Sequence, residues 1–78
     1  MEPKEFVTND LDLSALLQTC GVRLVDVKRN GDRRASFVFD DPDRCEELRR
    51  QFVIGAIEVN ALELLRNLRS LKYALHQV

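Results

Sequence analysis

The chain contains no tryptophan, a single histidine, three glycines, two prolines and two cysteines. Each scarcity excludes something. One histidine (His76) and two cysteines that form no CxxC pair leave too few ligands for a structural zinc site. Cys20 and Cys45 are expected as buried thiols acting as small hydrophobes, not as a disulfide. The glycines, at 21, 31 and 55, each fall where a turn or cap is expected, so no glycine-rich phosphate loop remains. No serine or cysteine has a histidine with reason to converge on it, so nucleophilic catalysis finds no support. The longest apolar run, Phe52 to Ile57, is far short of the ~18 residues a membrane span requires. No charged n-region precedes an apolar stretch near Met1, so no secretory signal is read and a cytoplasmic location is expected. An excess of one charge sign is missing too. Twelve Lys and Arg stand against thirteen Asp and Glu, with a pI near 5.8. Domains that hold nucleic acid by bulk charge usually have a pI above ~9.

What is present is ordinary for a folded domain: 45% hydrophobic and 32% charged residues in 78 positions. That length predicts one domain, residues 1–78, with residues 1–5 loose. A chain this short buries about 60% of its unfolded surface, enough to fold without metal or disulfide.

The centre of the pattern is Val22 to Asp40, two β-type runs joined by Asn30-Gly31. That dipeptide between alternating apolar runs signals a two-residue type I′ turn, which needs φ > 0 at both positions. Such a turn sets Leu24 opposite Phe37 and Val22 opposite Phe39. One face then carries Val22, Leu24, Ala35, Phe37 and Phe39, broken only by Asp26, and is the core face. The other carries Arg23, Val25, Val27, Arg34, Ser36 and Val38.

Around the hairpin, Phe6-Val7-Thr8 reads as a short strand. Thr8, Asn9 and Asp10 are N-cap types, Leu13, Leu16, Leu17 and Cys20 make a helical stripe, and Gly21 closes that helix. Asp41-Pro42 opens a second helix with Cys45, Leu48 and Phe52 on its apolar side and Gly55 at its end. Ala56 to Val59 is a candidate fourth, edge strand. Asn60 starts the last helix, with Glu63 placed for a capping box and Val59 with Leu64 for a hydrophobic staple. Leu64, Leu68, Leu71 and Leu75 line one face of it, while Arg66, Ser70, Tyr73 and Gln77 mark the polar side. The resulting class is α+β: two layers, a hairpin-centred sheet of three or four strands with helices on one face. The ferredoxin-like order β-α-β-β-α-β, with strand order 4-1-3-2 and an added C-terminal helix, satisfies the right-handed crossover rule.

Phe6-Val7-Thr8-Asn9-Asp10-Leu11, Gly21, Phe37-Val38-Phe39-Asp40, Phe52 with Gly55, Val59 and Leu68-Arg69-Ser70-Leu71-Lys72 occur in an order that resembles a small family of uncharacterised bacterial domains. The resemblance covers nearly the whole chain and implies no activity, cofactor or catalytic residue. A more superficial likeness is to RNA recognition motif domains. Phe6-Val7-Thr8-Asn9 is similar to their first-strand motif, and Arg33 to Asp40 to a degraded third-strand motif. That likeness implies bases stacked on Phe37, but Ala35 stands where a second aromatic is needed and Arg34 where glycine is usual.

Two surfaces remain to be explained. Arg23, Val25, Val27, Arg34, Ser36 and Val38 form an outer sheet face too apolar to be left bare. It is expected to be covered by the last helix, by a second copy in a homodimer, or by a foreign partner. Lys28, Arg29, Arg33 and Arg34 cluster at the hairpin turn and are candidate nucleic-acid contacts, although Asp26 and Asp32 lie among them. Arg66, Arg69 and Lys72 on the last helix are further candidates for holding phosphates. Asp40, Asp41 and Asp43 superficially suggest paired carboxylates, but their place before Pro42 makes helix capping the better account. The sequence therefore points to a non-enzymatic interaction module that self-associates, with a nucleic-acid-binding domain as the alternative. No cofactor, metal, membrane or small-molecule substrate is read.

Overall fold

In the computed structural model the described residues are 4–29 and 35–77. The elements run β1 (Phe6–Thr8), α1 (Leu11–Thr19), β2 (Leu24–Arg29), β3 (Ala35–Phe39), α2 (Pro42–Val53) and α3 (Ala61–Gln77). The three strands form one sheet in the order β1-β3-β2, and β3 is antiparallel to both neighbours. β1 and β2 are therefore parallel, joined by α1 as a crossover. The result is a small α+β fold with a three-stranded antiparallel sheet and three helices.

The helix ends follow local chemistry. Asp10 caps α1, its Oδ1 accepting from Leu13 N at 3.1 Å. At the other end Gly21 takes φ +88°, Val22 N donates to Leu17 O and Gly21 N to Gln18 O, both at 3.0 Å. Those two bonds define a Schellman motif, and Val22 and Leu17 both enter the core. Asn60 caps α3, its Oδ1 accepting from Glu63 N at 3.0 Å. Asp41 caps α2 from a left-handed conformation, φ 53°, with Pro42 at the start of the helix.

The hairpin register differs from the one the dipeptide predicts. Val27, not Leu24, pairs with Phe37, and the ladder ends on Arg29 opposite Ala35. The expected Asn30-Gly31 turn lies outside the described residues. A bulge between Leu24 and Asp26 adds Val25 as an extra residue. Its physical reason is visible in the side chains. Leu24 and Val27, three apart, both pack on the core, which strict alternation forbids and the extra residue permits. Asp26, which the shorter turn placed on the core face, is exposed instead, and its Oδ1 accepts from Val27 N at 2.8 Å. Hydrophobic patterning outweighs turn preference here, because burying one carboxylate costs more than a longer connection does.

The last two expectations to change are the fourth strand and the last helix. Residues 56–60 form no strand. Ile57 and Val59 turn onto the core instead, in the short link between α2 and α3. α3 does not fold across the outer sheet face. It packs on α1, with Leu71 buried and Leu64, Leu68 and Leu75 seated against the core. Asn67 Nδ2 donates to Thr19 Oγ1 at 2.9 Å across that interface. α1 is consequently enclosed nearly all round: Leu13, Ser14, Ala15, Leu16 and Leu17 are all buried. Its one buried polar side chain, Ser14, donates back to Asp10 O at 2.8 Å.

Candidate functional site

Among the described residues, the predicted outer sheet surface does not assemble as one patch. Val27 packs toward the core, and Val38 is buried on β3 between Val7 and Asp26. Arg23 and Val25 are exposed and Ser36 is half-buried. Arg34 lies outside the described residues, as does Arg33 of the basic cluster. Lys28 is exposed on β2. Arg29, also exposed, donates from Nη1 to Leu75 O at 3.3 Å. Leu75 O is among the last carbonyls of α3, which have no intrahelical partner, so this guanidinium serves the end of a helix dipole. Phe37 and Phe39 are 1% and 0% exposed and offer no platform for a base.

Of the carboxylates around the start of α2, Asp41 acts as the cap. Asp41 Oδ1 accepts from Arg44 N, and Arg44 Nη2 donates to Cys20 O at 2.6 Å, tying α2 to the end of α1. Cys45 is fully buried and its thiol donates to Asp40 O at 3.4 Å. Burial, helped by the charges of Asp41 and Asp40, pushes that thiol up to about 11. Burial also raises Cys20, against the pull of Arg44. Both cysteines are free. Neither environment makes a reactive thiolate. Among the described residues no cluster of three or more His, Cys, Asp and Glu side chains is placed to hold a metal ion.

The feature that sequence reasoning missed lies on the helical side. α1, the end of α2 and the first half of α3 enclose a groove of about 220 Å³, lined by Ala15, Leu16, Phe52, Leu64, Leu65 and Leu68, with Asp12 at its rim. Phe52 and Leu65 are 37% and 54% exposed, and Leu62, Val53 and Ile54 beside them in sequence are 57%, 73% and 70% exposed. Small-molecule sites run from about 300 to 1,000 Å³ and place a few polar groups among apolar walls. This groove is smaller and almost wholly apolar. It suits one or two apolar side chains offered by a protein surface. Its signal in the sequence is an excess: α3 carries six leucines, more than one buried stripe accommodates, and α2 ends in Phe52-Val53-Ile54.

Further along α3, Arg66, Arg69, Ser70 and Tyr73 line a shallow, open cleft and share one exposed stripe. A second open cleft lies where β1 meets the start of α2, between Lys4, Glu5, Val7, Asp43 and Glu46.

A family profile described as a domain of unknown function, DUF5659, matches residues 3–76, nearly the whole chain. No curated protein matches, and no solved structure does either. The expected likeness to a family of uncharacterised domains over nearly the whole chain is thus shown, while the likeness to RNA recognition motifs has no counterpart in the match.

Proposed function

We propose that this chain, which belongs to the DUF5659 family of domains of unknown function, is a non-enzymatic protein-interaction domain that docks its partner in the helical groove. One observation carries the reading: an apolar groove whose lining side chains Phe52 and Leu65 are 37% and 54% exposed, with the exposed Val53, Ile54 and Leu62 near them in the chain. Single exposed apolar residues are normal, but a contiguous set beside a concavity marks an interaction site. The groove's walls supply contact area and no convergent polar groups, which suits binding and not turnover. Two free thiols support a reducing, cytoplasmic setting. The parallel β1 and β2 with β3 between them support a relation to the ferredoxin-like plan with its fourth strand missing.

The test is affinity capture with the parent chain and with Leu65→Glu as baits, quantified by mass spectrometry. The parent retains partners that the variant loses, while both give the same circular dichroism. Equal retention on both baits removes the groove as a docking site.

A second reading has its own observation. Arg66, Arg69 and Tyr73 on one exposed helical stripe combine cations with an aromatic ring, the pairing that single-stranded nucleic acid uses. It requires salt-sensitive retention of an oligonucleotide that falls when Arg66 and Arg69 become alanine. Retention unchanged by those substitutions removes it.

A further inference from the structure

The geometry points to a second docking site, separate from the groove: the free edge of β1, which takes an extended, basic segment of a partner protein as an added strand. β3 alternates its backbone hydrogen bonds between its two neighbours. Asp40 N, just past the end of β3, donates to Arg23 O at 3.2 Å, on the β2 side. Phe39 and Phe37 therefore turn their backbone groups to β1, where they pair with Phe6 and Thr8. Val7 lies between those two, so its N–H and C=O point the other way, off the sheet. Among the described residues neither group meets a hydrogen-bond partner. The ferredoxin-like plan pairs a fourth strand along this edge. Here residues 56–60 form no strand, and Ile57 and Val59 pack on the core.

The sheet's other edge is guarded. β2 carries the bulge between Leu24 and Asp26, and Asp26 Oδ1 already accepts from Val27 N at 2.8 Å. A bulge and a charged side chain are devices that keep an edge from pairing. Within Phe6–Thr8, β1 has neither. Strand addition draws affinity from such unpaired main-chain groups and specificity from side chains at alternate positions.

Charge selects the occupant. The cleft of about 650 Å³ beside this edge, where β1 meets the start of α2, is lined by Glu5, Asp43 and Glu46 against one cation, Lys4. All four are exposed. Arg49 takes only Oε2 of Glu46. A segment with Lys or Arg at every second position sets its cations on one face, along this cleft, while its backbone pairs with Val7. A second copy would bring the same carboxylates to the edge, and a nucleic acid would bring phosphates, so both meet repulsion there.

The probe is a short fluorescent peptide of alternating lysine and valine, followed by anisotropy. The parent is expected to bind it saturably at low salt. Val7→Pro removes the outward N–H and leaves the bonds to β3 intact, because proline is tolerated on a strand edge whose N–H faces solvent. That variant is expected to keep the parent's circular dichroism and to bind at least about tenfold more weakly. Glu5→Lys is expected to weaken binding as well, more at low salt than at high. The same peptide methylated on every backbone nitrogen keeps its charge and loses its N–H groups, so it tests the edge without altering the protein; the parent is expected not to bind it. No binding by the parent up to millimolar peptide, equal binding of the methylated peptide, or equal binding by Val7→Pro overturns the proposal. A parent at twice the 9.0 kDa chain mass that Val7→Pro reduces to 9.0 kDa puts a second copy on the edge and overturns it too. The groove fails or stands separately. Leu65→Glu leaves β1 untouched and is expected to bind the peptide as the parent does, whatever happens to its captured partners; peptide binding lost in Leu65→Glu would place the peptide in the groove and overturn the edge site.

Discussion

Truncating Leu71 to alanine is expected to cost far more than truncating Leu65, although the two lie on the same helix and lose the same atoms. Leu71 is 2% exposed and belongs to the core where α3 meets α1; Leu65 is 54% exposed. Helix propensity changes equally at both sites and cancels. At Leu71 the three lost carbons forfeit about 2.4 kcal/mol of transfer free energy at about 0.8 kcal/mol per buried methylene. The cavity left behind raises this to about 3 kcal/mol. At Leu65 roughly half of the area is already in water and no cavity forms, so the cost stays at about 1 kcal/mol or less. A 78-residue domain has about 4–12 kcal/mol in all, so the Leu71 loss is a quarter or more of the total. Urea unfolding followed by circular dichroism reads the difference. With a slope of about 1 kcal/mol/M the two midpoints separate by about 2 M. Protein is kept dilute enough that association does not add to either value. Equal midpoints, or a larger loss at Leu65, would refute the seating of α3 on α1.

Two more perturbations test the cap and the buried thiol. Gly21 has φ +88° and open space where a Cβ would go, so Gly21→Ala should cost about 1–2 kcal/mol from backbone conformation alone; a neutral midpoint shift would contradict the Schellman ending of α1. Cys45 is raised in the fold from 9.0 to about 11, so the unfolded chain loses this proton first. The thiol's contribution is therefore fully present below pH 9 and is lost as pH rises toward 11, on the order of 2 kcal/mol. Urea midpoints at both ends of that window should fall more steeply for the parent than for Cys45→Ala, and parallel pH profiles would show that Cys45 is not the group responsible.

What the sequence made legible is what neighbours in the chain decide. Asp10, Gly21, Asp41, Gly55 and Asn60 mark helix ends because each cap is satisfied within a few residues. The apolar stripe Leu64-Leu68-Leu71-Leu75 meets the core as the spacing requires. The register of β2 on β3 was not legible from Asn30-Gly31, because a local turn preference competes with cross-strand pairing summed over the whole ladder. Asp26 held the clue, since the two-residue turn forces it inward and a bulge releases it. The seat of α3 is a long-range choice between two apolar surfaces, and the pattern of α3 alone suits either. The polar bond from Asn67 to Thr19 is the kind of detail that selects one, and it spans 48 positions. The groove follows from that choice, so it was hidden for the same reason; only the surplus leucines at 62 and 65 hinted at it.

The measurement that bears most directly on the groove is backbone amide chemical shifts with a captured partner added stepwise. The expected result is movement confined to residues around Phe52, Leu62 and Leu65 that is lost in Leu65→Glu, with β2 and β3 unchanged. Movement centred on the strands, or none anywhere over the full range, would contradict the proposal that this helical face docks a partner.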